Sequence, residues 1–164
     1  IDKGIVAVRY PRGTEREFPA DYTPSFDSFT HYGEAWAKSV IVTFGRLFSN
    51  ACMALATLRE KGISARIIKL NRIKPIDIRA VQSARFGEQI FFFEEGVRTG
   101  GIGEHFAALL LEKGFQGSFH LTAVEDCFVR QAAVPSLMAQ YHMDADGMVQ
   151  VILREAAEHG KTTA

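Results

Sequence analysis

The chain has 164 residues and 18.2 kDa, with 47% hydrophobic, 23% charged and 11% aromatic residues, which is the range of one globular domain able to bury a core without metal or disulfide staples. Nineteen Lys and Arg balance nineteen Asp and Glu, for a formal charge of zero and a pI near 7.1, and this excludes the broad basic field that nucleic-acid or anionic-membrane binding requires. No apolar run approaches the roughly 18 to 20 residues of a membrane-spanning helix, and no basic-then-apolar signal segment opens the chain. Cys52 and Cys127 form neither a CxxC pair nor a zinc-type set with histidine, so a reduced, cytoplasmic, soluble setting is expected.

Ile1 leads straight into the apolar run Ile5-Val6-Ala7-Val8 without an initiator Met, which reads as a cut inside a larger polypeptide. The run reads as a strand ending at Tyr10-Pro11-Arg12-Gly13. There Pro11 stiffens the turn, Gly13 permits close backbone approach, and Arg12 projects from the strand end with a fork suited to phosphate or carboxylate. A solvated strand-end arginine is the alternative, and in a regular strand Arg9 faces the opposite way. Residues 14–34, with Pro19, Pro24 and scattered Asp, Ser and Thr, show no sustained period and read as a linker.

From residue 35 the pattern becomes regular. Val40 to Phe44, Ala65 to Leu70, Ile90 to Phe93 and Phe119 to Val124 are near-continuous apolar runs, as in strands covered on both faces. Between the first two, Leu47, Phe48, Ala51, Cys52, Ala54, Leu55 and Leu58 fall on one helical stripe that Gly62 ends. Asp77 is placed to cap a helix from Ile78 to Arg85, and Glu104 to Lys113, Val134 to Tyr141 and Ala145 to Glu158 complete the helices, the last opened by Asp144. Such alternation implies an α/β fold, a three-layer α/β/α sandwich with a mostly parallel sheet of about five strands, one of them antiparallel at the edge.

The motifs supply no self-contained active site. Gly100-Gly101-Ile102-Gly103 fails as a dinucleotide fingerprint because Phe106 stands where the third glycine belongs. A turn at the carboxyl edge of the sheet, or a ligand or subunit contact there, accounts for the glycines. Glu94 and Glu95 are adjacent on a strand end, so they face opposite ways and suit ion pairing or capping better than acid/base work. The five histidines form no HExxH, Asp144-Ala145-Asp146-Gly147 lacks the glycine position of an EF-hand loop, and no GxSxG is present. No catalytic and no metal-binding residue is therefore assigned.

Ala7 to Gly13, Gly45-Arg46-Leu47, Ile73 to Asp77, Glu94 to Gly103, Asp126-Cys127-Phe128-Val129 and Met143 to Met148 occur in an order that resembles the transketolase-like 1-deoxy-D-xylulose-5-phosphate synthase family. The resemblance implies residues 1–13 as the end of a preceding pyrimidine-binding domain, 14–34 as linker and 35–164 as a transketolase C-terminal-like domain. It implies a transferase of isoprenoid and thiamine biosynthesis that uses thiamine diphosphate and Mg2+ in the full-length homodimer, with this fragment binding neither and inactive alone. It also implies that the arginine of the Tyr-Pro-Arg-Gly segment, Arg12, holds the substrate phosphate, with Arg9 as the second candidate. Gln131-Ala132 departs from the His-Gly or Gln-Gly pair of many relatives. The corresponding domain of a transketolase or of a 2-oxo-acid dehydrogenase beta subunit, and a non-catalytic dimerisation module, are the competing readings.

Overall fold

Large apolar side chains alternate in direction along each central strand, and this places a core on both faces of one sheet. The structure, a computed structural model, describes residues 4–8 and 18–162. Five strands, β1 (Phe29–Gly33), β2 (Ser39–Phe44), β3 (Ala65–Leu70), β4 (Gln89–Val97) and β5 (Ser118–Val124), lie in the order β1-β3-β2-β4-β5. All neighbouring pairs are parallel except β1 with β3, which runs antiparallel with Phe29 opposite Leu70 and Gly33 opposite Arg66.

The helices are α1 (Leu47–Glu60), α2 (Ile78–Ala84), α3 (Ile102–Glu112), α4 (Val134–Gln140) and α5 (Ala145–Thr162). On one face Ile41, Ile67, Phe91 and Phe93 pack against α1 and α5. On the other, Val40, Val42, Ile68, Ile90 and Phe92 pack against α2 and α3 through Ala80, Val81, Ala84, Phe106 and Leu110. Phe91, Phe92, Phe93 and Phe106 are fully buried, each contributing about 1.5–3 kcal/mol of hydrophobic stabilisation. The result is the expected three-layer α/β/α sandwich, its antiparallel strand at the edge. The caps also follow expectation: Asp77 accepts from Arg79 N at 2.9 Å at the start of α2, and Asp144 from Gly147 N at 2.9 Å at the start of α5.

Two expectations are corrected. Residues 14–34 are not simply a linker: Phe29–Gly33 is the edge strand β1, Tyr22 is buried, and Phe18 packs on the core. The strand was hidden because an edge strand of three half-exposed and two exposed residues shows little apolar contrast, and its neighbours are rich in turn residues. The strand expected over Ile5-Val6-Ala7-Val8 is absent as well. Among the described residues these join none of the five strands, and the side chains of Ile5, Val6 and Val8 are exposed; β-propensity makes a strand only where a neighbouring strand is there to pair.

Candidate functional site

In open α/β sheets, sites gather at the carboxyl edge where adjacent strands send their helices to opposite faces. Here β2 and β4 are neighbours, β2 leads to α1 on one face, and β4 leads to α3 on the other. The chain beyond both strand ends carries the motifs singled out from sequence, Gly45-Arg46-Leu47 and Glu94 to Gly103.

Glu94 is 1% exposed. Its Oε2 accepts from the backbone N–H of Ile102 at 3.0 Å and of Gly103 at 3.3 Å, capping the first turn of α3, whose own N-cap residue, Gly101, has no side chain to offer. Oε1 is buried without a partner. Desolvation raises the Glu94 carboxyl above its ordinary value, outweighing the two N–H bonds that pull it down. The glycines are explained by this packing: a Cβ on Gly101 would strike the Glu94 carboxylate, and one on Gly103 would strike Leu121 and lie 3.0 Å from Phe92 Cδ1. The glycine stretch is therefore filled by the protein's own carboxylate and core.

Glu95, pointing the other way as strand alternation requires, binds Arg46 Nε through Oε1 and ties the β4 end to the start of α1. Thr43 Oγ1 donates to Phe93 O at 2.9 Å across the β2–β4 seam. At the end of β3 the Lys69 ammonium stands over three rings, 4.7 Å from Phe48, 5.2 Å from Phe18 and 5.3 Å from Tyr22. This cation–π cluster fastens the segment entering the sheet to the carboxyl edge.

Beyond β5 the character changes. Residues 125–136 are exposed throughout, and α4 buries no residue. Phe128 is 102% exposed, and Val97, Val129 and Val134 are also exposed. Arg98 anchors this rim by donating to Glu125 Oε1 at 2.8 Å and to Leu121 O at 2.6 Å.

Arg9 and Arg12, the residues expected to hold phosphate, lie outside the described residues. Phe18 is the first described residue after them. Among the described residues no three His, Cys, Asp or Glu side chains converge to hold a metal ion, and the carboxylates of the crevice are engaged in capping and ion pairing. Neither the Arg46–Glu95 pair nor the buried Arg66, which has no carboxylate partner among the described residues, was expected from sequence. For Arg66 the signal existed, because an arginine within a strand covered on both faces must find buried partners. Cys52 lies in the core, where burial pushes its thiol up to about 12, and Cys127 is exposed; both are free. No helix among the described residues is long and apolar enough to cross a membrane.

Comparison with known proteins bears on this arrangement. The family described as "Transketolase, C-terminal domain" matches residues 36–148. The 1-deoxy-D-xylulose-5-phosphate synthase 1 of Geobacter sulfurreducens is 33% identical over 150 residues, 88% of this chain and 23% of that protein. The 1-deoxy-D-xylulose-5-phosphate synthase of Shouchella clausii is 26% identical over 155 residues, 93% of this chain and 25% of that protein. The chain thus spans about a quarter of the length of these relatives. A solved split-gene transketolase, described as an inactive beta4 tetramer, superposes with a TM-score of 0.70 at 25% identity, over 84% of this chain and 45% of that one.

Proposed function

The chain belongs to the transketolase C-terminal domain family, and from that premise we propose that it is the carboxy-terminal domain of a thiamine-diphosphate-dependent 1-deoxy-D-xylulose-5-phosphate synthase. The observation that carries this reading is likeness to such synthases along nine-tenths of the chain. In the whole enzyme pyruvate loses CO2, and its remaining two-carbon unit joins D-glyceraldehyde 3-phosphate to give 1-deoxy-D-xylulose 5-phosphate. Thiamine diphosphate, held with Mg2+ by the preceding domains, supplies carbanion stabilisation. The part taken by this chain is structural support of the substrate pocket and assembly of a homodimer, and the exposed apolar side chains of Val97, Phe128, Val129 and Val134 support it.

Arg12 is the residue assigned to the phosphate of glyceraldehyde 3-phosphate, with Arg9 as the alternative. In the longer polypeptide, Arg12→Ala should raise KM for glyceraldehyde 3-phosphate about ten- to a hundredfold, the worth of a charge-assisted, bidentate bond. Pyruvate carries no phosphate, so its KM should hold, and Arg12→Lys should recover only part of the loss. An alanine variant with normal affinity for the phosphate substrate transfers the role to Arg9.

A further inference from the structure

At the amino edge of the sheet, away from the crevice, an open cavity of about 960 Å³ lies between the turn after β1 and α2. Two aromatic side chains on its walls face solvent, Trp36 at 87% and Phe86 at 64% exposure. At its base lies Arg66, only 5% exposed. Arg66 Nε donates to Ala37 O at 3.3 Å, Nη1 to Ser83 Oγ at 3.3 Å and Nη2 to Ser83 O at 2.7 Å. All three acceptors are neutral.

The other strong cations around the cavity each have a carboxylate: Lys38 has Glu88 at 3.2 Å, Arg59 has Glu34 at 3.9 Å, and Arg79 has Asp77 at 2.7 Å. Arg66, the most buried of the four, has none within ion-pair distance among the described residues. A guanidinium carries five N–H donors, and the bonds above account for three. Beside it His31 Nε2 meets Ser83 Oγ at 3.5 Å. Burial and the neighbouring Arg66 push His31 below its ordinary value, so at neutral pH the ring adds hydrogen-bonding capacity without a second charge.

A buried guanidinium with spare donors and no counter-charge, under flat apolar walls, fits one ligand chemistry. We propose that this cavity binds a small aromatic oxyanion, its carboxylate or phosphate on Arg66 and its ring against Trp36 and Phe86. Arg66 also ties the turn to the carbonyl and hydroxyl of Ser83 at the end of α2, and that role alone needs neither a cavity nor exposed rings. This site is independent of the synthase reading and lies at the opposite edge of the sheet from it.

Trp36 is the chain's only tryptophan, so its emission reports on the cavity directly. The chain is titrated at fixed ionic strength with phenyl phosphate and with benzoate, and with inorganic phosphate as the ringless control. At least one aromatic probe should give a saturable change with a Kd at least about tenfold tighter than inorganic phosphate. Phe86→Ala, a change at an exposed side chain, should weaken that probe about three- to tenfold. Arg66→Gln should weaken it about ten- to a hundredfold while circular dichroism stays native. If Arg66→Gln does not fold, the Arg66 Nε–H resonance in the unaltered chain decides, and it should shift along the same binding curve. No saturable change with either aromatic probe, inorganic phosphate binding equally well, Phe86→Ala or a folded Arg66→Gln without effect, or a stationary Arg66 resonance would each overturn the proposal.

Discussion

Glu94 and Arg66 are buried charges at opposite ends of the same sheet, and both bind a helix end. Glu94 accepts from the first N–H groups of α3, and Arg66 donates to a C-terminal carbonyl of α2; each sign suits the dipole it meets. The surroundings differ. Around Glu94 the backbone of Gly101 and Gly103 closes until no added carbon fits, whereas Arg66 opens onto a cavity with donors to spare. One electrostatic device therefore serves two ends: it seals the carboxyl-edge crevice as scaffold and leaves the amino edge able to accept a ligand.

The comparison breaks most visibly at Gly101. Its φ is −71°, so Gly101→Ala carries no backbone strain, but the new Cβ would strike the Glu94 carboxylate and lie 2.7 Å from Val97 O. Displacing a buried cap and overpacking the turn should cost about 2–4 kcal/mol in urea unfolding. A smaller effect is expected from Glu94→Gln. The Glu94 carboxyl is raised above 4.5 by desolvation, so its folded form binds a proton more tightly than its unfolded form. Its contribution to stability is complete below pH 4.5 and is lost as pH rises through the folded value. Thermal unfolding followed across pH should show this decline in the unaltered chain and a flatter profile for Glu94→Gln. The smallest effect belongs to Gly96→Ala, where a Cβ would come no nearer than 3.8 Å to Glu94 Cδ; a change under about 0.5 kcal/mol is expected. Equal losses at Gly96 and Gly101 would show that the crevice is not sealed by close packing.

The core strands were legible because β2 carries Val40-Ile41-Val42, β3 Ile67-Ile68 and β4 Ile90-Phe91-Phe92-Phe93, and the helices because their apolar stripes and caps are local. The roles of Glu94 and Glu95 were partly legible, since alternation alone sends adjacent side chains to opposite faces. β1 was not: three half-buried and two exposed residues carry too little contrast, and its pairing with β3 joins segments far apart in the chain. The Arg66 cavity was equally hidden, because it combines β1, β3, α2 and the turn at Trp36, which only the tertiary fold brings together. Arg9 and Arg12 lie outside the described residues, so their assignment still rests on the resemblance.

The proposed role makes the carboxyl edge a surface for docking onto the rest of a larger enzyme, with its internal charges spent on bracing. Hydrogen exchange of this chain alone and within the longer polypeptide tests it most directly. Residues 125–133 are exposed and almost free of backbone pairing before α4, so their amides should exchange rapidly in isolation and gain protection in the longer polypeptide, while β2, β3 and β4 stay protected in both. Equal exchange of residues 125–133 in the two contexts would contradict docking at this edge.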